Sequence, residues 1–168
     1  EHQPELINFL RSRRWNAETA YTNRDYSQEY GFTELCFVSD DYFNLMNIKC
    51  HHKPGEPFCY VNEQLYQTLQ ADSTSESFRF QNQVYPVKGL VHIGPDSPSA
   101  KQLALLPLSA MNDEIGKIYI RLVPDAPRKE VKAEMSKEMN QYLPQNEPFE
   151  FISLYEEQTG LGTISVMW

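Results

Sequence analysis

Three stretches of this 168-residue sequence predict an α+β fold, with helices packed on mixed sheets. From Phe78 to Gly94 (FRFQNQVYPVKGLVHIG), two period-two segments flank the polar turn Gln81-Asn82-Gln83, the pattern of a β-hairpin with one apolar face. Leu103 to Leu108 (LALLPL) is too short to span a bilayer and too apolar to be exposed, so it reads as a buried strand broken at Pro107. Between residues 115 and 154, strand, helix and strand follow one another as a compact α+β unit, whose strands, if paired parallel, would need a right-handed crossover. In the hairpin, Pro86 offers no N–H to a ladder, so its strand should start near an edge or carry a bulge. Gly89 marks a point where another backbone or a bulky ring comes close.

The remaining elements follow in chain order. Pro4 to Arg14 is a short amphipathic helix with Leu6, Ile7, Phe9 and Leu10 apolar and Pro4 in its first turn. Asn16 to Tyr30 is polar and tyrosine-rich, without clear periodicity. Phe32 to Val38 is a strand with Phe32, Glu34, Cys36 and Val38 on one face and Leu35 and Phe37 on the other, so both faces should be partly covered. Ser39 is expected to cap a short helix through Asn47, with Asp40 and Asp41 in its first turn and Phe43 and Met46 on its buried side. Lys53-Pro54-Gly55 is a turn between short strands. Phe58 to Val61 is a strand leading to Asn62, the N-cap of a helix with Leu65, Tyr66 and Leu69 as its apolar stripe. Ala71 to Ser77 and Gly94 to Ser99 are loops. Ile115 to Val123 is the cleanest strand. Asp125 should cap the next helix, with Pro127 in its first turn, Val131, Met135, Met139 and Leu143 as a core-facing seam, and Pro144 as its stop. Phe149 and Phe151 alternate in a last strand, and Gly160 to Trp168 is apolar at its end and looks truncated.

Composition narrows the function classes. With 40% hydrophobic and 12% aromatic residues the chain is globular. A formal net charge of −8 repels phosphate backbones, so nucleic acid is not an expected partner. No run approaches the length of a membrane-spanning helix. The chain opens without Met and without a leader pattern, and is expected to be a mature or excised fragment whose targeting elements lie elsewhere.

Candidate chemistry is sparse. Arg11, Arg13, Arg14 and Trp15 read as a solvated helix end whose cations complement the dipole, rather than as a lipid or nucleic-acid patch. Asp40 and Asp41 are neighbours on a helix and point about 100° apart, which suits a helix start better than shared acid–base work. Cys50, His51, His52 and Cys59 are all zinc-ligand types, but their spacing fits no standard structural pattern, and adjacent histidines rarely converge on one ion. A Cys50–Cys59 bridge could form in an oxidising compartment, while Cys36 completes an odd set that fixes no compartment. His92 falls on the hairpin strand with no identifiable nucleophile nearby. No phosphate loop, G-x-S-x-G or H-E-x-x-H is present. No catalytic, cofactor-binding or metal-binding residue is therefore expected, and no cofactor.

The order of segments carries more. VSDDYFNLMNI at 38–48, FCYVNEQLYQTL at 58–69, FRFQNQVYPVKGLVHIG at 78–94, IYIRLVP at 118–124 with the helix after it, and PFEFISLYEE at 148–157 resemble, in that order, the periplasmic core domain of MacB-like and FtsX-like ABC transporter permeases. The resemblance covers most of residues 32–157. It implies an extracytoplasmic domain on the outer face of the bacterial inner membrane, inserted between two membrane helices. It also implies a porter-like lobe from residues 1–60 and 110–157, and a second, β-rich lobe from 61–109. Such a domain is non-catalytic. It relays ATP-driven helix movement to a substrate or a periplasmic protein partner, with a cognate ATPase coupled through the membrane helices and a homodimer in the full-length permease. An apolar end at Ile164 to Trp168 would then be where a membrane helix starts. CHHKPGEPFC stands where the family has a Gly-rich linker, the segment after Ile48 is short, and Pro4–Arg14 has no counterpart. The other function classes are a free-standing secreted α+β binding module and a small hydrolase or metal enzyme using His51, His52 or His92.

Overall fold

A computed structural model of the chain describes residues 3–92, 101–111, 116–142, 150–153 and 163–167. In order run α1 (Gln3–Ser12), β1 (Asn16–Ser27), β2 (Thr33–Val38), α2 (Asp41–Leu45), β3 (Cys59–Val61), α3 (Glu63–Ala71), β4 (Ser77–Phe80), β5 (Gln83–Leu90) and β6 (Gln102–Pro107). A 3-10 turn (Leu108–Met111), β7 (Lys117–Leu122), α4 (Arg128–Tyr142), β8 (Glu150–Ser153) and β9 (Thr163–Met167) complete it. The fold is α+β, with parallel and antiparallel pairs mixed. Two compact units form, one from Glu1–Tyr21 with Ile115–Trp168 and one from Thr22–Glu114. The resemblance assigns residues 22–60 to the lobe of the early and late segments, whereas here they belong with the middle. The cause is hydrogen bonding: β2 pairs with β6, and β3 pairs with both β5 and β6.

In the middle unit the strand order is β4-β5-β3-β6-β2, followed by the second half of β1. β2 and β6 run parallel from Thr33 opposite Gln102 to Val38 opposite Pro107. Leu35, Phe37, Cys59, Val61, Ala104 and Leu106 form one face, covered by Leu65 and Leu69 of α3 and by Phe78 and Phe80 of β4. Each of those helix leucines is fully buried, worth about 1.5–3 kcal/mol relative to exposure. Tyr60 lies on the other face, packed on Phe43 of α2, so both faces are covered as the residue pattern of β2 implied. Asn62 caps α3, its Oδ1 accepting the Leu65 N–H at 3.1 Å. The hairpin turns at Gln81 and Asn82, both at positive φ (47° and 63°), the conformation of a tight two-residue turn. Pro86 sits where β5 has only β4 beside it, and the register with β3 shifts immediately afterwards, between Cys59/Val87 and Tyr60/Gly89.

Two expected caps fall elsewhere. By the helix bounds the N-cap of α2 is Asp40 rather than Ser39, although Asp40 itself has helical angles (φ −58°), and the Asp40 side chain makes no capping bond. Tyr42 and Leu45 join Phe43 on the buried side of α2 while Met46 is half-buried. Asp125 lies in the turn ahead of α4, and the Val131 N–H reaches the Pro127 carbonyl at 2.9 Å.

In the unit of early and late segments the order is β1-β7-β9-β8. β9 is antiparallel to both neighbours, so β7 and β8 are parallel across it, with α4 as the crossover between them. The expected beginning of a membrane helix at Ile164 is therefore a strand, in keeping with the polar–apolar alternation of Thr163-Ile164-Ser165-Val166 and its three β-branched residues. β1 escaped the sequence reading because Thr19, Ala20, Tyr21 and Thr22 are buried in succession and leave no period of two. Val131 and Met135 of α4 are buried as expected; the side chain of Met139, and Leu143, Pro144 and Phe149, lie outside the described residues.

In the arginine cluster, Arg13 and Trp15 are tied to the fold rather than solvated. Arg13 Nη1 donates to Glu134 Oε1 at 3.0 Å and the indole N–H of Trp15 to Glu134 Oε2 at 3.1 Å, tying the end of α1 to α4. The Arg13 guanidinium also lies 4.8 Å over the Phe9 ring. The bonds from Arg13, then Trp15, hold the Glu134 carboxyl below its ordinary 4.5. A lowered folded value means stabilisation present above pH 4.5 and lost as pH falls through it. Glu134→Gln should therefore lower stability at neutral pH by no more than about 1 kcal/mol, because the pair is partly exposed. The gap between variant and parent should close in acid, as melting curves across pH would read. Met135→Asp should cost about 3–5 kcal/mol, an unpaired buried charge, and abolish cooperative melting in calorimetry; a folded Asp variant would place Met135 outside the core.

Candidate functional site

The parallel strands β2 and β6 end side by side, and the chain then diverges, into α2 from Val38 and into the 3-10 turn from Pro107. Divergence at the carboxyl edge of parallel strands opens a crevice. Here it is a pocket of about 330 Å³, lined by Ser39, Asp40, Glu56, Phe58, Tyr85 and Leu108 among others. Two acidic residues thus join a largely apolar lining. The Lys53 N–H, with Lys88 Nζ at 3.6 Å, holds the Glu56 carboxyl below its usual range, so it is ionised at neutral pH. Burial pushes the Tyr85 phenol up, and it keeps its proton.

Beside the pocket sits a cluster around His52. Gly55 adopts φ 79° and the Glu56 N–H reaches the Lys53 carbonyl at 3.0 Å, a turn that folds the segment back on itself. Phe58 consequently lies against His52, the rings stacked with centroids 4.0 Å apart, and Phe43 meets the imidazole edge-on at 4.9 Å. With 1% of its side chain exposed, the ring is fixed. Nδ1 is 2.8 Å from Tyr60 Oη and Nε2 faces Asp40 Oδ1 at 3.5 Å, while Cys50 Sγ lies near both ring nitrogens, 3.3 Å from Nδ1 and 3.7 Å from Nε2. Tyr60 Oη also accepts the His51 N–H at 2.7 Å. Burial above all pushes the Tyr60 phenol up to about 12, so its O–H remains a donor at every physiological pH.

The four expected zinc-type residues do not converge. Cys50 is exposed and Cys59 is fully buried in the core with Leu35 and Val61, on the opposite face of β3 from Tyr60. Burial pushes the Cys59 thiol far up. The Cys50–Cys59 bridge is accordingly not formed, and all three cysteines are thiols. His51 is exposed, with its ring beside Gly89. Among the described residues no three His, Cys, Asp or Glu side chains group as metal ligands. His92 lies just beyond β5 and is exposed. Asp41 is exposed at the start of α2, whereas Asp40 turns to His52, so the aspartate pair is split. Tyr60, Asp40 and His52 come together from three segments, with no spacing in the sequence to announce it.

Gly89 stands opposite Tyr60 in the β3–β5 register. A Cβ there would lie 3.3 Å from the His51 ring and 3.4 Å from that of Tyr60, the close ring that the glycine implied. Gly89→Ala needs only a small shift of exposed His51 and should be nearly neutral. Gly89→Val adds methyls against Tyr60; overpacking of about 1–3 kcal/mol outweighs a β-propensity gain of at most about 1 kcal/mol. Urea melts of both variants should separate them, and an unchanged Val variant would mean that the Tyr60 ring is loosely held.

No protein-family model matches the sequence, and no curated protein matches it.

Proposed function

We propose that this chain is the extracytoplasmic domain of an ABC transporter permease, relaying ATP-driven movement of membrane helices to a substrate or a periplasmic partner without catalysing a reaction itself. The observation that carries the proposal is the discontinuous unit: residues 1–21 and 115–168 fold together, with 22–114 as a separate compact unit between them in sequence. A domain carried between two membrane segments needs its early and late residues in one body, so that movement of either segment reaches the same rigid element. The segments that resemble MacB-like and FtsX-like permeases coincide with α2, β3–α3, the β4–β5 hairpin and β7, and in part with β8. No helix among the described residues is long and apolar enough to cross a membrane, so the proposal assigns the spanning helices to sequence outside this stretch. The pocket at the carboxyl edge of β2 and β6, with Asp40 and Glu56 on its rim, offers a place for a basic or amphiphilic group of substrate or partner.

The test is on the full gene product in its own cells. It should remain in the membrane fraction after alkaline carbonate washing. Protease added outside spheroplasts should cut it within residues 1–168, and an ATPase should co-purify in detergent. A carbonate-extractable product without a co-purifying ATPase would overturn the proposal and leave a secreted binding module.

A further inference from the structure

We propose that the pocket at the carboxyl edge of β2 and β6 binds a small organic monocation, an ammonium group carried on one ring, with Asp40 as its counter-ion. This rests on the reading of that pocket as a substrate or partner site, and it names the class of ligand. Of the two acids in the lining, Glu56 is already committed. Its Oε2 accepts the Lys53 N–H at 2.8 Å and its Oε1 lies 3.6 Å from Lys88 Nζ, so a fixed cation offsets its charge. Asp40 differs. Among the described residues its ion-pair partner is the His52 ring at 3.5 Å, not a lysine or an arginine, and its side chain is 49% exposed. The lining therefore carries one carboxylate without a fixed cation, which calls for a ligand of single positive charge.

The rest of the lining selects what the charge is attached to. Val38, Phe58, Tyr85 and Leu108 contribute apolar surface. Phe58 is held by the stacked His52 ring at 4.0 Å and by Phe43 edge-on at 5.3 Å, so this wall is in place before a ligand arrives. The Tyr85 phenol, kept protonated by burial, adds no second negative charge. A volume of about 330 Å³ is at the lower end of the range for small-molecule clefts, with room for one ring and a short linker. Aromatic faces attract cations as well as rings, which favours an arylalkyl ammonium over a bare alkyl one. An anion would be repelled by the Asp40 carboxylate, and a neutral molecule would forgo the ion pair.

The probe is phenethylamine, a monocation at neutral pH, titrated into the isotope-labelled chain and followed by amide chemical shifts in NMR. The amides of Ser39, Asp40, Glu56, Tyr85 and Leu108 should shift together and saturate, with a Kd of about 0.1–1 mM for a ligand of this size. Phenethyl alcohol, its neutral isostere, should bind about two- to fivefold more weakly, the worth of a half-exposed ion pair. Phenylacetate, the anion, should not saturate. Butylamine, which matches a lysine side chain, should bind at least about threefold more weakly for want of ring area. Asp40→Asn should bring the amine down to the affinity of the alcohol and leave the alcohol unchanged. Ser109→Trp, at an exposed lining position, should fill the pocket and abolish binding of both. No saturable shift at these amides up to about 10 mM amine overturns the proposal. So does equal binding of amine and alcohol, or saturation by phenylacetate, and these comparisons on the parent chain need no variant. A folded Asp40→Asn chain that keeps the preference for amine, or binding that survives Ser109→Trp, is equally fatal. Butylamine as tight as phenethylamine would give the pocket to a lysine of a protein partner instead. Amine binding is read on the purified chain and the transporter reading on membranes of its own cells, so either can fail without the other.

Discussion

Three residues set the terms for the middle unit. Cys59, Tyr60 and Val61 form a strand that pairs parallel on one side and antiparallel on the other, and all three are fully buried. A strand so short can hold its place only if its backbone groups are used on both edges and its side chains are used on both faces, because each buried polar group left unpaired would cost more than one apolar contact returns. Cys59 and Val61 supply the core beneath α3. Tyr60 alone serves the other face, where its ring packs on Phe43 and covers Gly89. The arrangement of the whole His52 cluster follows from which way this one residue points.

The two ends of the parallel pair are finished in different ways. At the starting edge, the Gln102 amide donates to the Tyr30 carbonyl at 3.0 Å and to Thr33 Oγ1 at 3.2 Å, and its oxygen accepts from Thr68. Asn62 adds to this closure, accepting the Leu103 N–H at 3.0 Å and donating to the Lys101 carbonyl at 2.6 Å. Side-chain amides, which donate and accept at once, seal that edge. The carboxyl edge has no such amide among its pocket residues; it is left to Ser39, carboxylates and aromatic rings, and there the crevice opens. The crevice described above thus lies at the end of the parallel pair that side-chain amides do not seal.

Elements with a strong local signature were legible in the sequence. The strands of β2, β6 and β7, the Asn62 cap and the ring against Gly89 each follow from periodicity, capping chemistry or the missing Cβ. β1 was not legible, because threonine and tyrosine buried on both faces erase the alternation on which strand reading depends. The caps at Ser39 and Asp125 missed because capping is decided by backbone angles, which residue type only biases. The apolar end of the sequence suits a membrane helix or an inner strand equally well, and long-range pairing with β7 and β8 selects the strand. Of the site, Cys50 and His52 stood out as chemically able. What separates them from Cys59 and joins them to Asp40 is the facing of β3 and the turn at Gly55, neither visible at the level of spacing.

The position of β9 bears on how the chain is made. Residues 22–114 are contiguous, so every strand partner of β2, β3 and β6 has left the ribosome before α4 begins. The other unit is complete only when Thr163–Met167 emerges to slot between β7 and β8, up to which time the facing ladder edges of those strands stay unpaired. Domains fold as units during synthesis, and an unpaired ladder edge is an adhesive surface. The nascent chain therefore acquires its pocket early and carries an open sheet edge until β9 arrives. That interval is when a chaperone would be most needed.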